Sequence, residues 1–509
     1  MPENIDNGKN TGILLIFIFI SLLCKSIIIL NDQIINPDGA IYITAANLLA
    51  NGHLQKSLTV YPMPFYPFLL ALGHWLIPNW VIAGQAIAAC FLTITLLPLF
   101  WLAKEIFDHQ TAVATCLLYL VLPIFNLPCA DIMREPPFLM FAITAIWLGR
   151  RALISTKLRD FFWFNILTLL AFLCRLEALI LPIVFLCAWG ITLYQQPAKR
   201  PALLRGILTF LLLPLGLTGC WWLGKIYQLP NFNRLGEIKT RLGFSASQSF
   251  FATYIQITTA MKKLQQVLPG SNLANNLLEV SRHYAPLIYL IGIFELFAKA
   301  IFPTTIILLL LTKKKFTDFG KSSSHLLLLL FFTYLMLIFL ININQNFIVE
   351  RMFLLPILII LPWAGKSLAV FFRHYRLSGK KIGVIIICIF FLGLPLGKTI
   401  LRLDNEETVL KKAGTWLHEY GQHHQFTPVY NDPRLPFYAG RLAEVMNYNP
   451  RNYELISNLS PQTNFIAFYL APKKISDLPP INGFSKLREF SGVRHQVLIF
   501  IRRSPDKLK

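Results

Sequence analysis

The strongest constraint on this chain is its succession of long apolar runs. Residues 12–31 are almost unbroken Ile, Leu and Phe. About eleven windows of this kind recur along the sequence, at 12–31, 79–103, 111–127, 136–150, 160–175, 177–195, 203–226, 285–311, 325–343, 350–372 and 381–400. In lipid, every backbone amide must be satisfied inside its own helix or a closed barrel, so runs of this length read as transmembrane α-helices. The composition agrees, with 55% hydrophobic and only 14% charged residues and a mean hydropathy of +0.55. The expected fold class is a polytopic α-helical membrane protein.

A net charge of +22 invites a nucleic-acid reading, but the placement of the charge excludes it. Lys and Arg gather in four short loops: Arg150, Arg151, Lys157 and Arg159; Lys199, Arg200 and Arg205; Lys313, Lys314, Lys315 and Lys321; Arg373, Arg376, Lys380 and Lys381. With eleven spans and a cytoplasmic N-terminus, all four fall on the cytoplasmic side, as the positive-inside rule requires. The first run is preceded by Glu3 and Asp6 against a single Lys9 and is followed by no small-residue cleavage site. It reads as a retained signal-anchor helix. Nearly all of the eight cysteines lie within spans, with no CxxC pair, so they read as small apolar residues.

Residues 1–400 therefore form a transmembrane domain, and three parts of the chain fall on its outer side. Segment 32–78 holds two expected interfacial helices, at 38–51 (ended by Gly52) and at 64–77. Segment 227–284 is a long loop in which aromatic and basic residues alternate. Residues 401–509 change character. A helix is expected over 404–420, with Val409, Ala413, Trp416 and Leu417 on one face, and short strands near Val429-Tyr430, Asn464–Leu470 and Gln496–Ile501. This is a small α/β domain on the outer face.

Charged residues beside lipid are costly and are default candidates for function. Asp38, in Asn36-Pro37-Asp38-Gly39, combines a helix-start position with an exposed carboxylate. Asp131, Arg134 and Glu135 precede Pro136-Pro137, and a helix starting near Asp131 would put all three on one face. Arg175-Leu176-Glu177 occupies a junction between two spans; its guanidinium can bind a phosphate or pair with the neighbouring acid. Glu350-Arg351 opens the tenth span, where Arg351 is either a phosphate ligand or an arginine reaching to the interface. All four places lie on the outer side. Together they suit transfer of a phosphate-activated group, with guanidinium groups holding the phosphate and an acid taking the proton of an attacking hydroxyl. His418, His423 and His424 lack a fourth ligand for a metal and read as solvated helix-end residues.

These places resemble, in order and sidedness, the integral-membrane glycosyltransferases of the GT-C superfamily, in the branch of protein O-mannosyltransferases and the lipid A aminoarabinose transferase. The similarity runs through Pro37-Asp38-Gly39, the stretch Tyr61-Pro62-Met63-Pro64-Phe65-Tyr66-Pro67, Asp131 through Pro137, Cys174-Arg175-Leu176-Glu177, and Glu350 through Pro356. Asn431-Asp432-Pro433-Arg434 and Phe437 through Arg441 resemble the small outer domain of such enzymes. The resemblance implies a polyprenyl-phosphate-linked sugar as donor and an acceptor hydroxyl on lipid A, another glycan or protein. Transfer would invert the sugar carbon, on the periplasmic face of the inner membrane. It implies Asp38 as the base or the acid that positions the acceptor, Asp131 or Glu135 as second acid, and Arg175, Arg351 and Arg134 as phosphate ligands. No resident metal is assigned, although some relatives use a divalent cation. No lysine precedes Pro62, where aminoarabinose transferases carry a phosphate-binding one. The competing classes are an O-antigen ligase or polymerase, which would use a large outer loop such as 227–284, and a lipid-linked sugar flippase. A flippase predicts ionisable groups in mid-span and matching halves, and neither pattern is visible in the sequence.

Overall fold

The computed structural model describes residues 2–31, 34–226, 252–267, 272–311, 322–377, 381–401, 408–424, 426–446, 448, 459–460, 462–471, 481–492 and 495–502. Lys313, Lys314, Lys315, Lys321 and Lys380, and the first half of the expected loop 227–284, lie outside them.

Among the described residues, seven helices are long and apolar enough to cross a membrane, and two bent pairs bring this to nine. The bent pairs are His109–Val121 with Pro123–Cys129 and Asn276–His283 with Ala285–Ile301. The two other expected windows are a 17-residue helix, Leu158–Cys174, and a run split into Arg200–Ile207, Leu208–Leu211 and Leu212–Ile226. Residues 160–195 form two helices, as expected, because Arg175 between them adopts an extended conformation. The expected span 285–311 is a broken one: Phe302 has φ +69°, and Pro303 begins a new helix after it. Segment 227–284 is not a plain loop, since its described part holds the helices Ala252–Val267 and Asn272–His283.

The chain divides into two compact units. The first comprises Met1–Leu23, Cys90–Leu127 and Arg134–Thr399. At its centre is Glu350–Tyr375, whose most apolar window is 89% buried. The helix Leu354–Leu377 packs on His109–Val121. A methyl group on Gly365 would come within 2.1 Å of Thr115 Oγ1 and 2.8 Å of the Thr115 amide nitrogen, so only glycine permits this crossing.

The second unit comprises Cys24–Ala89, Pro128–Met133 and Ile400–Lys509. Its C-terminal part is a four-stranded sheet of β1 (Pro428–Tyr430), β2 (Phe465–Leu470), β3 (Phe484–Ser491) and β4 (Gln496–Arg502), in the order β1-β2-β4-β3. β1 and β2 are parallel and the other pairs antiparallel. The helix Thr408–His423 covers one face; Val409, Ala413 and Leu417 pack against Phe465, Ala467, Val497 and Ile499, with Trp416 at the margin. The sequence reading found β1, β2, β4 and this helix but not β3. That strand is charged, pairs with β4 alone among the described residues and is mostly exposed beyond Phe484, the pattern of a protected edge rather than of a core strand.

The expected interfacial helices are present as Pro37–Ala50 and Phe65–Leu76, with Leu54–Val60 between them. Ile35, Tyr42, Ile43, Tyr66 and Leu70 form one apolar cluster with Ile132 and Val445, against which Phe437 and Tyr438 pack. Ile34 joins the core of the C-terminal domain itself. The segment carrying Asp38 is thus built on the C-terminal domain, which explains why residues so far apart in sequence form one unit.

Candidate active site

Two groups of the expected residues are organised, one within each unit. In the first unit, Glu135 begins the helix Glu135–Ser155, with prolines in its first turn and Arg134 as N-cap. The helix does not start at Asp131, which lies in a bend, so the expected three-charge helix face does not form. Glu135 instead meets Arg175. Nη1 of Arg175 donates to Glu135 Oε1, while Nε and Nη2 donate to Glu177 at 3.3 and 2.8 Å. All three side chains are buried, at 4–6% exposure. Phe138 lies under the guanidinium, 5.8 Å away.

A buried guanidinium with a carboxylate on each side is fully paired; removing either partner would strand a charge. Arg351, in the 3-10 turn Glu350–Phe353, is the accessible member of the cluster. Its Nε is 3.8 Å from Glu135 Oε1, and its side chain is 33% exposed. Two guanidinium groups thus share two carboxylates. The structure brings Glu135, Arg175 and Arg351 together, with Glu177 as the partner that the sequence reading had weighed only as the ion-pair alternative.

In the second unit, Pro37 and Asp38 open the helix Pro37–Ala50, and the half-buried Asp38 sits in its first turn, where a negative charge is favoured. Asn36 is positioned as the N-cap, but its side chain makes no cap bond. Its Oδ1 accepts from the backbone N–H of Ile132 at 3.1 Å. Gln85 donates to the Ala130 carbonyl at 2.9 Å. Asp131 is therefore bracketed by two side-chain hydrogen bonds that hold its backbone. The contact is close: a methyl on Gly39 would lie 2.6 Å from Asn36 Oδ1 and 3.1 Å from Ile132 Cβ. Asp38 follows Asn36 by two residues and Asp131 directly precedes Ile132, so both acids lie next to this contact in the chain.

The C-terminal domain supports the same place. The Tyr438 hydroxyl accepts from the Ile35 N–H at 2.9 Å. Burial, then the charges of Asp38 and Asp432, push the Tyr448 phenol above its ordinary range. Asp432 is itself held by Arg434, through Nε at 3.0 Å and Nη2 at 2.9 Å. Sequence reasoning missed Asn36, Gln85 and Tyr448 as site residues. The bonds of Asn36 and Gln85 span 96 and 45 residues, and no local pattern reports them. Among the described residues, no group of three or more His, Cys, Asp or Glu is arranged to hold a metal. His418 instead bonds the Ala439 carbonyl, and His424 stacks on Tyr420.

A polytopic helical body and a small α/β domain make up a fold that is similar to those of solved membrane enzymes. Residues 60–221 match the family model described as dolichyl-phosphate-mannose-protein mannosyltransferase; this stretch includes Asp131, Arg134, Glu135 and Arg175. The chain is similar to the oligosaccharyltransferase AglB of Archaeoglobus fulgidus, solved with an inhibitory peptide and a dolichol-phosphate, at 14% identity and a TM-score of 0.58 over 90% of this chain and 69% of that one. It is likewise similar to ArnT of Cupriavidus metallidurans, solved with undecaprenyl phosphate, at 13% identity and a TM-score of 0.54 over 96% of this chain and 98% of that one. No curated protein sequence matches the chain.

Proposed function

We propose that this protein transfers a glycosyl group from a polyprenyl-phosphate-linked donor to an acceptor hydroxyl on lipid, glycan or protein, at the periplasmic face of the inner membrane. The solved relatives support the donor class, since ArnT was captured with undecaprenyl phosphate and AglB with a dolichol-phosphate. The basic loops support the orientation. The observation that carries the reading is the clamp around Asp38 and Asp131: two acids on rigidly held backbone, in the fold of a sugar transferase.

In this mechanism the acceptor oxygen attacks the anomeric carbon and inverts it. The bond from that carbon to the phosphate oxygen breaks, and the electron pair leaves with the polyprenyl phosphate. The acceptor proton passes to Asp38, with Asp131 as the second acid. Arg351 and Arg134 bind the phosphate. Arg175 has both edges of its guanidinium engaged by glutamates, so it acts as a positioning residue that fixes Glu135.

Asp38→Asn tests this proposal. General-base catalysis contributes about 10²–10⁴-fold, so transfer in vesicles loaded with lipid-linked sugar should fall by that factor. Membrane insertion and melting should stay as in the wild type. Full activity in Asp38→Asn would refute the assignment.

A further inference from the structure

A second charged region lies in the first unit, at the opposite helix ends from the Glu135–Arg175 cluster. The end of Glu135–Ser155, the end of Leu176–Gln195 and the start of Ser322–Gln345 enclose a cavity of about 800 Å³. Arg150 lies 15 residues beyond Glu135 on one helix, roughly 22 Å at 1.5 Å per residue. The cavity is therefore separate from the proposed transfer chemistry. Its size falls within the roughly 300–1,000 Å³ typical of small-molecule sites.

The polar wall carries Arg150, Lys199 and His325, and among the described residues no acidic one lines the cavity. Arg150 is already compensated, with Nη1 2.7 Å from Glu105 Oε2 and Nη2 donating to the Glu105 carbonyl. Lys199 is not. Its ammonium donates to the Ile154 carbonyl at 3.2 Å, and among the described residues it pairs with no carboxylate. The neighbouring Arg200 likewise bonds a carbonyl, that of Leu193. Opposite the polar wall, Ile191, Leu329 and Phe332 are 54%, 40% and 62% exposed. Apolar surface left this open on membrane-spanning helices faces hydrocarbon.

A cation with no carboxylate partner among the described residues, beside an exposed apolar wall, is complementary to a molecule with an anionic head and hydrocarbon chains. Basic pockets between spans on the cytoplasmic side recognise anionic lipid headgroups in this way, and Arg150 and Lys199 belong to the basic loops that orientation places there. We propose that this cavity binds an anionic phospholipid of the cytoplasmic leaflet. Lys199 and His325 hold its phosphodiester, and Ile191, Leu329 and Phe332 seat its chains. The proposal does not depend on the transferase activity.

The test is native mass spectrometry of the purified full chain in detergent, titrated with phosphatidylglycerol or phosphatidylcholine. The wild type should retain phosphatidylglycerol preferentially. Lys199→Gln should weaken that retention about five-fold, the effect of one cation near an anionic group. Lys199→Arg should keep it, as should Lys412→Gln on the exposed face of Thr408–His423. His325→Glu, at an exposed position, should weaken it at least as much as Lys199→Gln through repulsion, and so covers the case in which a Lys199 variant fails to fold. Leu329→Trp should reduce retention of the lipid by filling the chain seat. Equal retention of the two lipids, or wild-type retention in Lys199→Gln and His325→Glu, would overturn the proposal. Displacement of the lipid by millimolar inorganic phosphate would overturn it as well, by showing a phosphate site that does not read the chains.

Discussion

Arg175 and Asp38 are both charged groups at helix starts, but the two units treat them differently. The first unit buries Arg175 between Glu135 and Glu177, so that each charge is satisfied by protein. The second leaves Asp38 half-buried and ties the segment that precedes it, through Asn36 to Ile132 and through Ile35 to the Tyr438 hydroxyl. The first arrangement uses charge to fix geometry. The second fixes its backbone with neutral hydrogen bonds and leaves the carboxylate half-buried; under the proposed function, that carboxylate is the group that reacts. On the roles proposed above, burial separates positioning groups from reacting ones more sharply than residue type does.

The largest effect that can break this contrast is removal of the central guanidinium. Arg175→Met leaves two glutamates buried around a neutral side chain, and loss of one partner from a buried ion pair costs about 3–5 kcal/mol. The melting midpoint in detergent should drop sharply. Adding Glu135→Leu and Glu177→Leu removes the stranded charges, and well-packed apolar replacements of buried ion networks are often neutral in stability. The triple variant should recover most of the midpoint and none of the activity. If it recovers activity too, the cluster is purely structural.

Next in size is Gly39→Ala, which strikes the clamp without touching a charge. The added methyl must displace Asn36 Oδ1, at 2.6 Å, from its bond to Ile132. Overpacking of this kind costs about 1–3 kcal/mol. Since Asp38 and Asp131 both depend on the clamp, kcat should fall while donor KM holds. A wild-type kcat would show that the acids do not need this backbone.

Arg351→Gln should do the reverse. Arg351 is the accessible guanidinium of its cluster, a third exposed and 3.8 Å from Glu135. Its removal should raise donor KM roughly tenfold, about 1.4 kcal/mol, with little change in melting. An unchanged KM would remove Arg351 from the phosphate-binding role.

The sequence carried more of the fold than of the site. Membrane helices declare themselves by uninterrupted hydrophobicity, and Thr408–His423 by its 3.6-residue period, so their places were legible. Sharp breaks were less so. The turn at Phe302 comes from one residue with positive φ, and the edge strand Phe484–Ser491 has no apolar alternation to report it. At the site, the charged residues stand out against an apolar background, whereas the groups that hold them do not. Nothing near Asn36 points to Ile132, and nothing in 434–438 shows that Tyr438 seats the helix of Asp38. Those contacts are long-range, and hydrophobic and propensity patterns are local. The start of Glu135–Ser155 shows the same limit: Asp131 could have begun that helix, but its two neighbours are bonded to Asn36 and Gln85 instead.

The smallest predicted effect lies in the C-terminal domain, where Glu444 offers a case between the two extremes. Its carboxylate pairs with Arg441 at 2.7 Å and accepts from the Tyr430 hydroxyl at 3.1 Å. Burial nevertheless outweighs both partners and raises its carboxyl above the ordinary value. A carboxyl raised in the folded state favours folding while it is protonated. That contribution is full below the unfolded value of about 4.3 and is lost as pH rises through the folded one. Glu444→Gln keeps an acceptor for Tyr430 and removes the titration. The midpoint of the wild type relative to Glu444→Gln should therefore decline as pH rises from about 4.3 toward neutrality. The opposite slope would mean that Arg441 dominates, making this pair a half-exposed counterpart of the Arg175 cluster. No slope would mean that burial and pairing cancel at Glu444, unlike in the Glu135–Arg175–Glu177 network, where every member is buried.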